Sequence, residues 1–142
     1  MELAKEQQEK LKEIGRRHDL RFIILHGSYA TETPREGSDL DIAVLGNEKI
    51  GFDKILELHG EFAGVFGDDP ERELDFKTLH GVDPLFRYHV TRDGILLFGN
   101  KTDYEEYKAY AYKDYMDSFD LSDLEFALLQ KSIRSLSRKY AR

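Results

Sequence analysis

Gly27, Ser28, Asp39, Asp41 and Asp75 are the residues whose types and spacing could do chemistry in this chain. The stretch HGSYATETPREGSDLDIAVL places Gly27-Ser28 at the end of one apolar run and Asp39-x-Asp41 at the start of the next. In an extended strand alternate residues share a face, so the carboxylates of Asp39 and Asp41 point the same way. Paired carboxylates suit a hard cation such as magnesium, which takes oxygen ligands from one or two side chains and completes its shell with water and substrate phosphates. The glycine lets the backbone approach closely. A serine hydroxyl and neighbouring N–H groups can hold phosphate oxygens. Together these groups would clamp a metal-bound triphosphate for in-line displacement at phosphorus. Asp75 would join them if its strand neighbours that of Asp41, either as a metal ligand or as a base toward an acceptor hydroxyl. An isolated Asp-x-Asp is often only a solvated pair, and an isolated Gly-Ser only a turn. The combination argues otherwise. Aspartate is disfavoured in strands, and carboxylates gathered on one face repel unless a cation or a proton lies between them.

The elements that must position these residues can be read from the pattern. Residues 2–17 form a charged helical stretch with a thin apolar face of Leu3, Leu11 and Ile14. Arg21–His26 reads as a buried strand, with a helical turn at 29–33 and a polar loop before the second strand, Asp39–Leu45. Phe52, Ile55, Leu56, His59, Phe62, Ala63 and Phe66 fall at helical spacing, and Gly67-Asp68-Asp69-Pro70 ends that helix. Residues 71–78 form a weaker third strand carrying Asp75. Asp83-Pro84 opens a short helix running to about Thr91, and Ile95–Phe98 is a fourth, edge strand. From residue 103 two helices are expected. One has the stripe Tyr104, Tyr107, Ala111 and Tyr115, the other Leu121, Leu124, Leu128, Leu129, Ile133, Leu136 and Tyr140. The expected architecture is α/β (α+β): a small mixed sheet of three to four strands flanked by helices. It divides into a catalytic domain over 1–100 and a C-terminal helical extension over 101–142, packed on that domain or on a partner.

Composition limits the alternatives. With 142 residues, 40% of them apolar and 35% charged, the chain can bury one ordinary core. It has no cysteine, hence no disulfide, thiolate metal site or cysteine nucleophile. There is no apolar run of membrane-spanning length and no secretory signal pattern, so the cytoplasm is the expected compartment. A net charge of −7 argues against direct nucleic-acid binding, which rests on Lys and Arg. The charge is uneven. Residues 103–125 hold eight acids against Lys108 and Lys113, whereas 131–142 hold five bases and no acid. Such asymmetry marks either a partner surface or a match to the helix dipole.

Gly27-Ser28, ten residues, then Asp39-Leu40-Asp41, set between apolar strands, resembles the signature of the polymerase-β-type nucleotidyltransferase superfamily. More narrowly it resembles the minimal nucleotidyltransferase (MNT) domain proteins of bacteria and archaea. The resemblance extends over about residues 15–120 and includes DPLFRYHVTRDGILLFGN and the tyrosine-rich acidic segment YEEYKAYAYKDYMDSF. It implies the nucleotidyltransferase fold and magnesium-dependent transfer of a nucleoside monophosphate. Gly27 and Ser28 would hold the triphosphate, Asp39 and Asp41 the metal, and Asp75 would be the third carboxylate. Many such proteins are antitoxins of type VII pairs that modify a HEPN-domain RNase toxin, attaching AMP from ATP to one of its tyrosines. Two positions depart from the family pattern. His26 stands where Phe is frequent, and TETPRE fills a loop where Gly or Arg is common.

Two other functions fit the sequence: a non-catalytic antitoxin that masks its toxin, and a small-molecule nucleotidyltransferase of the aminoglycoside-modifying kind. The remaining candidates are less informative. His18, His26, His59, His80 and His89 have no metal-ligand spacing. His59 is expected in the core, and His26 is close enough to the turn to touch nucleotide or acceptor. Lys77 and Arg35 could reach phosphate, although surface lysine and loop arginine are usually solvated. The tyrosine-rich helix fits core packing or a protein interface better than base stacking. The apolar stripe and basic end of the last helix suit docking to a partner as well as packing on its own domain.

Overall fold

The computed structural model describes residues 1–140, with side chains for all of these except 119–122. The elements run α1 (Lys5–Arg17), β1 (Leu20–His26), a single 3₁₀ turn (Gly27–Tyr29), β2 (Leu40–Gly46), α2 (Phe52–Phe66), β3 (Leu74–Thr78), α3 (Pro84–Asp93), β4 (Ile95–Phe98) and α4 (Lys101–Tyr140). The sheet is mixed, with strand order β3-β2-β1-β4. β1 pairs antiparallel with both β2 and β4, while β2 and β3 are parallel and joined by α2. A parallel pair needs such a crossover, since a tight turn cannot return the chain to the same end of the sheet.

Helices cover both faces, so β1 and β2 read as near-continuous apolar runs. On one face α1 and α2 cover Ile23, Leu25, Leu40, Ile42 and Val44, contributing Leu11, Ile14, Leu58, Phe62 and Phe66. On the other, α3 and α4 cover Phe22, Ile24, Ala43 and Leu45 with Val90, Tyr104 and Tyr107. By alternation Asp41, Asp75 and His26 belong to this second face, at the edge where the helices leave the strand ends open. Asp83 caps α3 by accepting a hydrogen bond from the Leu85 N–H at 2.8 Å, with Pro84 at the first helical position.

Two expectations need correction. The apolar stripe of α2 is rotated from the one read in the sequence. Leu58 is fully buried, whereas Phe52 and Leu56 are exposed, and His59 is half exposed with Nε2 3.7 Å from Asp68 rather than in the core. With Gly60 and Gly64 thinning its outer side, α2 offers two overlapping apolar faces, and the fit to β3 selects the one through Leu58. Secondly, the two expected terminal helices are one continuous α4 of 40 residues, about 60 Å at 1.5 Å per residue. No glycine or proline interrupts Lys101–Tyr140, so the change of stripe is a change of face and not a break. The first half of α4 packs through Tyr104, Tyr107 and Ala111. It is tied down by the Arg21–Asp103 pair, by Arg87 Nη1 donating to Asp114 at 3.0 Å, and by Tyr115 stacked on Tyr88 at 4.8 Å. From Asp123 onward every described side chain is exposed. Leu121 and Arg142 of the sequence reading lie outside the described side chains.

Candidate active site

The site is built where β1 ends, β2 begins and β3 begins. His26 is the register partner of Asp41 across the antiparallel ladder, and Asp41 is the register partner of Asp75 across the parallel one. The two carboxylates therefore stand side by side, and a side-chain hydrogen bond joins them. Asp39 lies one residue before β2 and is exposed. Gly27 follows His26 with φ of +72°, a conformation open to glycine at little cost. A Cβ placed there would lie 2.1 Å from Asp41 Oδ2. The missing side chain of Gly27 is thus the space the Asp41 carboxylate occupies. Ser28 sits half-buried in the 3₁₀ turn, whose leading N–H groups are the ones such a turn leaves without helical partners.

The electrostatics are those of crowded carboxylates. Burial, then the hydrogen bond to Asp75, then the charges of Asp75 and Asp39 push the Asp41 carboxyl up to about 6, and Lys77 opposes them. Below about pH 6 Asp41 thus holds a proton and donates it to Asp75, and at physiological pH it is largely ionised. Lys77 is the nearest compensating charge, with Nζ 3.6 Å from Asp75 and 5.2 Å from the ring centre of Phe86. His26 is buried, its ring edge-on to Phe86 at 5.9 Å. Burial lowers its pKa to about 4, with Asp75 opposing and Lys77 adding to the shift, so the imidazole is neutral at physiological pH. Among the described residues its Nε2 has no hydrogen-bond partner. Buried beneath the turn, His26 does not line the surface where a nucleotide or acceptor was expected to touch it.

The donor set is all oxygen, and the crowded Asp41 and Asp75 carboxylates are relieved by a cation between them, so these residues fit a hard divalent cation. The three aspartates do not form a closed cage on their own. Among the described residues, three ligand-type side chains come within 4.8 Å of one another at His18, Glu57 and Glu61. There Arg17 already pairs with Glu61, and Lys54 donates to the His18 carbonyl. An open aspartate set matches an ion completed by substrate phosphates better than a resident structural ion. Beside the turn runs a groove of about 670 Å³ lined by Tyr29, Arg35, Gly37, Pro70 and Arg72 among others. The Arg72 guanidinium lies 5.7 Å from the Tyr29 ring centre. A separate cavity of about 470 Å³ between Arg16, Arg21 and Asp103 contains none of the carboxylates of the site. Sequence reasoning missed Phe86 and Arg72. Phe86 lies on a helix with no marked apolar stripe, and Arg72 falls in a turn, so neither carried a local signal.

The family model described as "Polymerase beta, Nucleotidyltransferase" matches residues 9–103. This chain belongs to that family. The match contains the whole Gly27-Ser28/Asp39-x-Asp41/Asp75 set and all four strands. Comparison with curated protein sequences gives no match. Among solved structures, this nucleotidyltransferase is similar to a chain of a toxin–antitoxin complex with AMP-PNP (TM-score 0.67, 23% identity, 89% of this chain and 98% of that one). It is also similar to a chain of the complex of tri-AMPylated Shewanella oneidensis HEPN toxin with MNT antitoxin (0.63, 21%, 91% and 98%). A third is spectinomycin adenyltransferase from Enterococcus faecialis with ATP and spectinomycin (0.52, 20%, 72% and 58%). At these identities the likeness is one of fold. No helix among the described residues is long and apolar enough to cross a membrane.

Proposed function

We propose that this chain is a magnesium-dependent adenylyltransferase and the antitoxin of a HEPN/MNT pair, moving AMP from ATP to a tyrosine of its HEPN toxin. One observation carries the reading: Asp41 and Asp75 stand in register on adjoining parallel strands, against a glycine whose absent side chain makes room for them. Asp39, Asp41 and Asp75 would hold magnesium, which when bound supplies positive charge against the triphosphate. Ser28 and the N–H groups of its turn bind phosphate oxygens. The acceptor oxygen forms a bond to the α-phosphorus, the α–β bridging P–O bond breaks, and pyrophosphate leaves with those electrons. The proton of the acceptor hydroxyl passes to a carboxylate, and Asp75 is the one placed to take it if it is not fully engaged as a ligand. In this reading residues 1–100 carry the chemistry, and the segment from Lys101 packs on that domain through its first half and faces the partner through its second.

The apolar surface that the long α4 exposes supports a protein acceptor over a small one. The test is incubation with labelled ATP, magnesium and the HEPN protein encoded beside it, followed by mass spectrometry of both chains. The reading expects an AMP mass gain on a toxin tyrosine, lost in Asp41→Asn. Toxin neutralised equally well by Asp39→Asn/Asp41→Asn, with no mass gain, would replace it by the masking antitoxin. Label on small hydroxylated acceptors alone would replace it by the small-molecule enzyme. With Asp75→Asn, weakened magnesium binding marks a ligand, whereas unchanged binding with lost turnover marks a base.

A further inference from the structure

The cavity of about 470 Å³ beside Arg16 and Arg21 has its own chemistry. β1 runs from this cavity, at Leu20 and Arg21, to the candidate active site, at His26, so the two lie about 20 Å apart. Its basic wall is formed by Lys12 and Arg16, one turn apart on α1, and by Arg21. Among the described residues lining it, Asp103 is the one acid, and Arg21 already takes it. The Arg21 Nε and Nη2 groups donate to the two Asp103 oxygens at 2.7 and 2.6 Å. The acids of α1 are spent elsewhere, with Glu6 on Lys10 and Glu13 on Arg17. Among the described residues, no hydrogen bond or ion pair engages the Lys12 ammonium or the Arg16 guanidinium. Like charges four residues apart on a helix oppose each other. An anion between these two relieves a repulsion that the fold leaves standing.

The rest of the lining narrows the class of anion. Asn100 Oδ1 accepts from the Asp103 N–H at 2.9 Å, which leaves its side-chain amide N–H groups to donate. Asn47 Nδ2 is spent on Asp19 at 2.8 Å, which leaves its Oδ1 to accept. The polar lining is thus mostly donors. The remainder is apolar, formed by Leu20, Leu97 and the Phe98 ring. Gly15 makes room for that ring, since a Cβ there would lie 2.5 Å from it, so this wall is set against α1. A bare inorganic ion would use the cations and leave the apolar wall wet. A monocarboxylate would leave one of the two cations unmatched. A phosphate monoester carries about −1.5 to −2 near pH 7 on three acceptor oxygens, and a guanidinium can grip it through two N–H groups. The volume falls within the roughly 300–1,000 Å³ of small-molecule sites.

We infer that this cavity binds a small organic phosphate, its phosphoryl group held by Lys12, Arg16 and Asn100 and its apolar or planar body lying against Leu97 and Phe98. The inference uses no residue of the active site and stands whether or not the transferase reading is correct. The test is amide NMR of the full chain in low-salt buffer with EDTA, titrated with phenyl phosphate. The signals of Asn47, Gly99 and Asn100 should move. Lys12→Ala/Arg16→Ala should weaken binding by about tenfold or more. The fold should be unaffected, since both side chains are exposed and alanine suits a helix. Asn100→Asp keeps the acceptor for the Asp103 N–H but adds a negative charge to the cavity, and should also weaken binding. Lys5→Ala, on the same helix outside the cavity, should not. Inorganic phosphate and phenol should each bind more weakly than the ester. Inorganic phosphate binding as well as the ester would mean an adventitious anion only, and overturns the inference. Shifts confined to Gly27 and Ser28, or none at millimolar ester, overturn it too. So does binding that survives Lys12→Ala/Arg16→Ala. A 5′-phosphorylated oligonucleotide that binds where phenyl phosphate does not would put the ligand on a macromolecule, and also overturns it.

Discussion

Replacing Gly27 with alanine separates two things this residue does, provided a second glycine serves as the reference. Gly27 and Gly81 have nearly the same backbone, φ of +72° and +68°. A Cβ at Gly81 would meet nothing within 4 Å, whereas one at Gly27 would sit 2.1 Å from the Asp41 carboxylate. Gly81→Ala therefore measures the left-handed backbone cost alone, about 1–2 kcal/mol. Gly27→Ala carries that cost plus an overlap that only movement of Asp41 can relieve, another ~1–3 kcal/mol by analogy with overpacked interiors. The displaced carboxylate also leaves its hydrogen bond with Asp75. A shift of an ångström in such a group is worth about 10²-fold in turnover. Urea denaturation of both variants gives the stability difference, and AMP transfer under fixed magnesium and ATP gives the functional one. Gly81→Ala should lose stability and keep activity, and Gly27→Ala should lose both. Equal losses of stability, with Gly27→Ala fully active, would refute the close packing of the turn on Asp41.

Asp41→Asn should produce a more stable, inactive protein. The unfolded chain releases the Asp41 proton near its ordinary 3.8, while the folded protein keeps it to about 6. Wild-type stability therefore falls across that window as pH rises. In metal-free buffer above pH 6 the asparagine variant should be of the order of 2–3 kcal/mol more stable, with the gap closing by pH 4 in denaturation curves. On α2, Leu58→Ala should cost about 2–5 kcal/mol and Leu56→Ala under ~0.5, since one side chain is fully buried and the other 58% exposed. Equal effects in thermal melts would mean that α2 is rotated from the orientation described. Phe86→Ala should unroof His26 and bring its pKa, followed by NMR, back up toward 6.5, because burial is the largest cause of its depression. An unchanged titration would place the burial elsewhere.

The carboxylates were legible in the sequence because strand geometry is local. Alternation put Asp41 on the face of Ala43 and Leu45, and a glycine at the preceding strand end marked the turn, whereas Asp39 lies just outside the strand. That Asp75 stands opposite Asp41 was not local information. It depends on a parallel pairing made after a fifteen-residue helix, and no spacing in the chain encodes that register. The phase of α2 was misread because hydrophobic periodicity says how wide an apolar face is, not which part of it the sheet will cover. His59 was placed in the core for the same reason. In α4 a shift of stripe resembled a break, although the absence of glycine and proline pointed to continuity. His26 was read by its distance from the turn. Its burial follows from Phe86, sixty residues further on, which only the fold brings over it.

β3 forms the rim of the sheet, hydrogen-bonded to a strand on one side only. It is also short, five residues, and hangs from α2 and from its ladder with β2. Asp75 is thus suspended from an edge strand, while Asp41 is clasped between two neighbours. Loosening of α2 will reach the chemistry before it reaches the rest of the molecule. Such damage will be felt first as lost turnover, with the β1–β2 pair still standing and the protein outwardly folded.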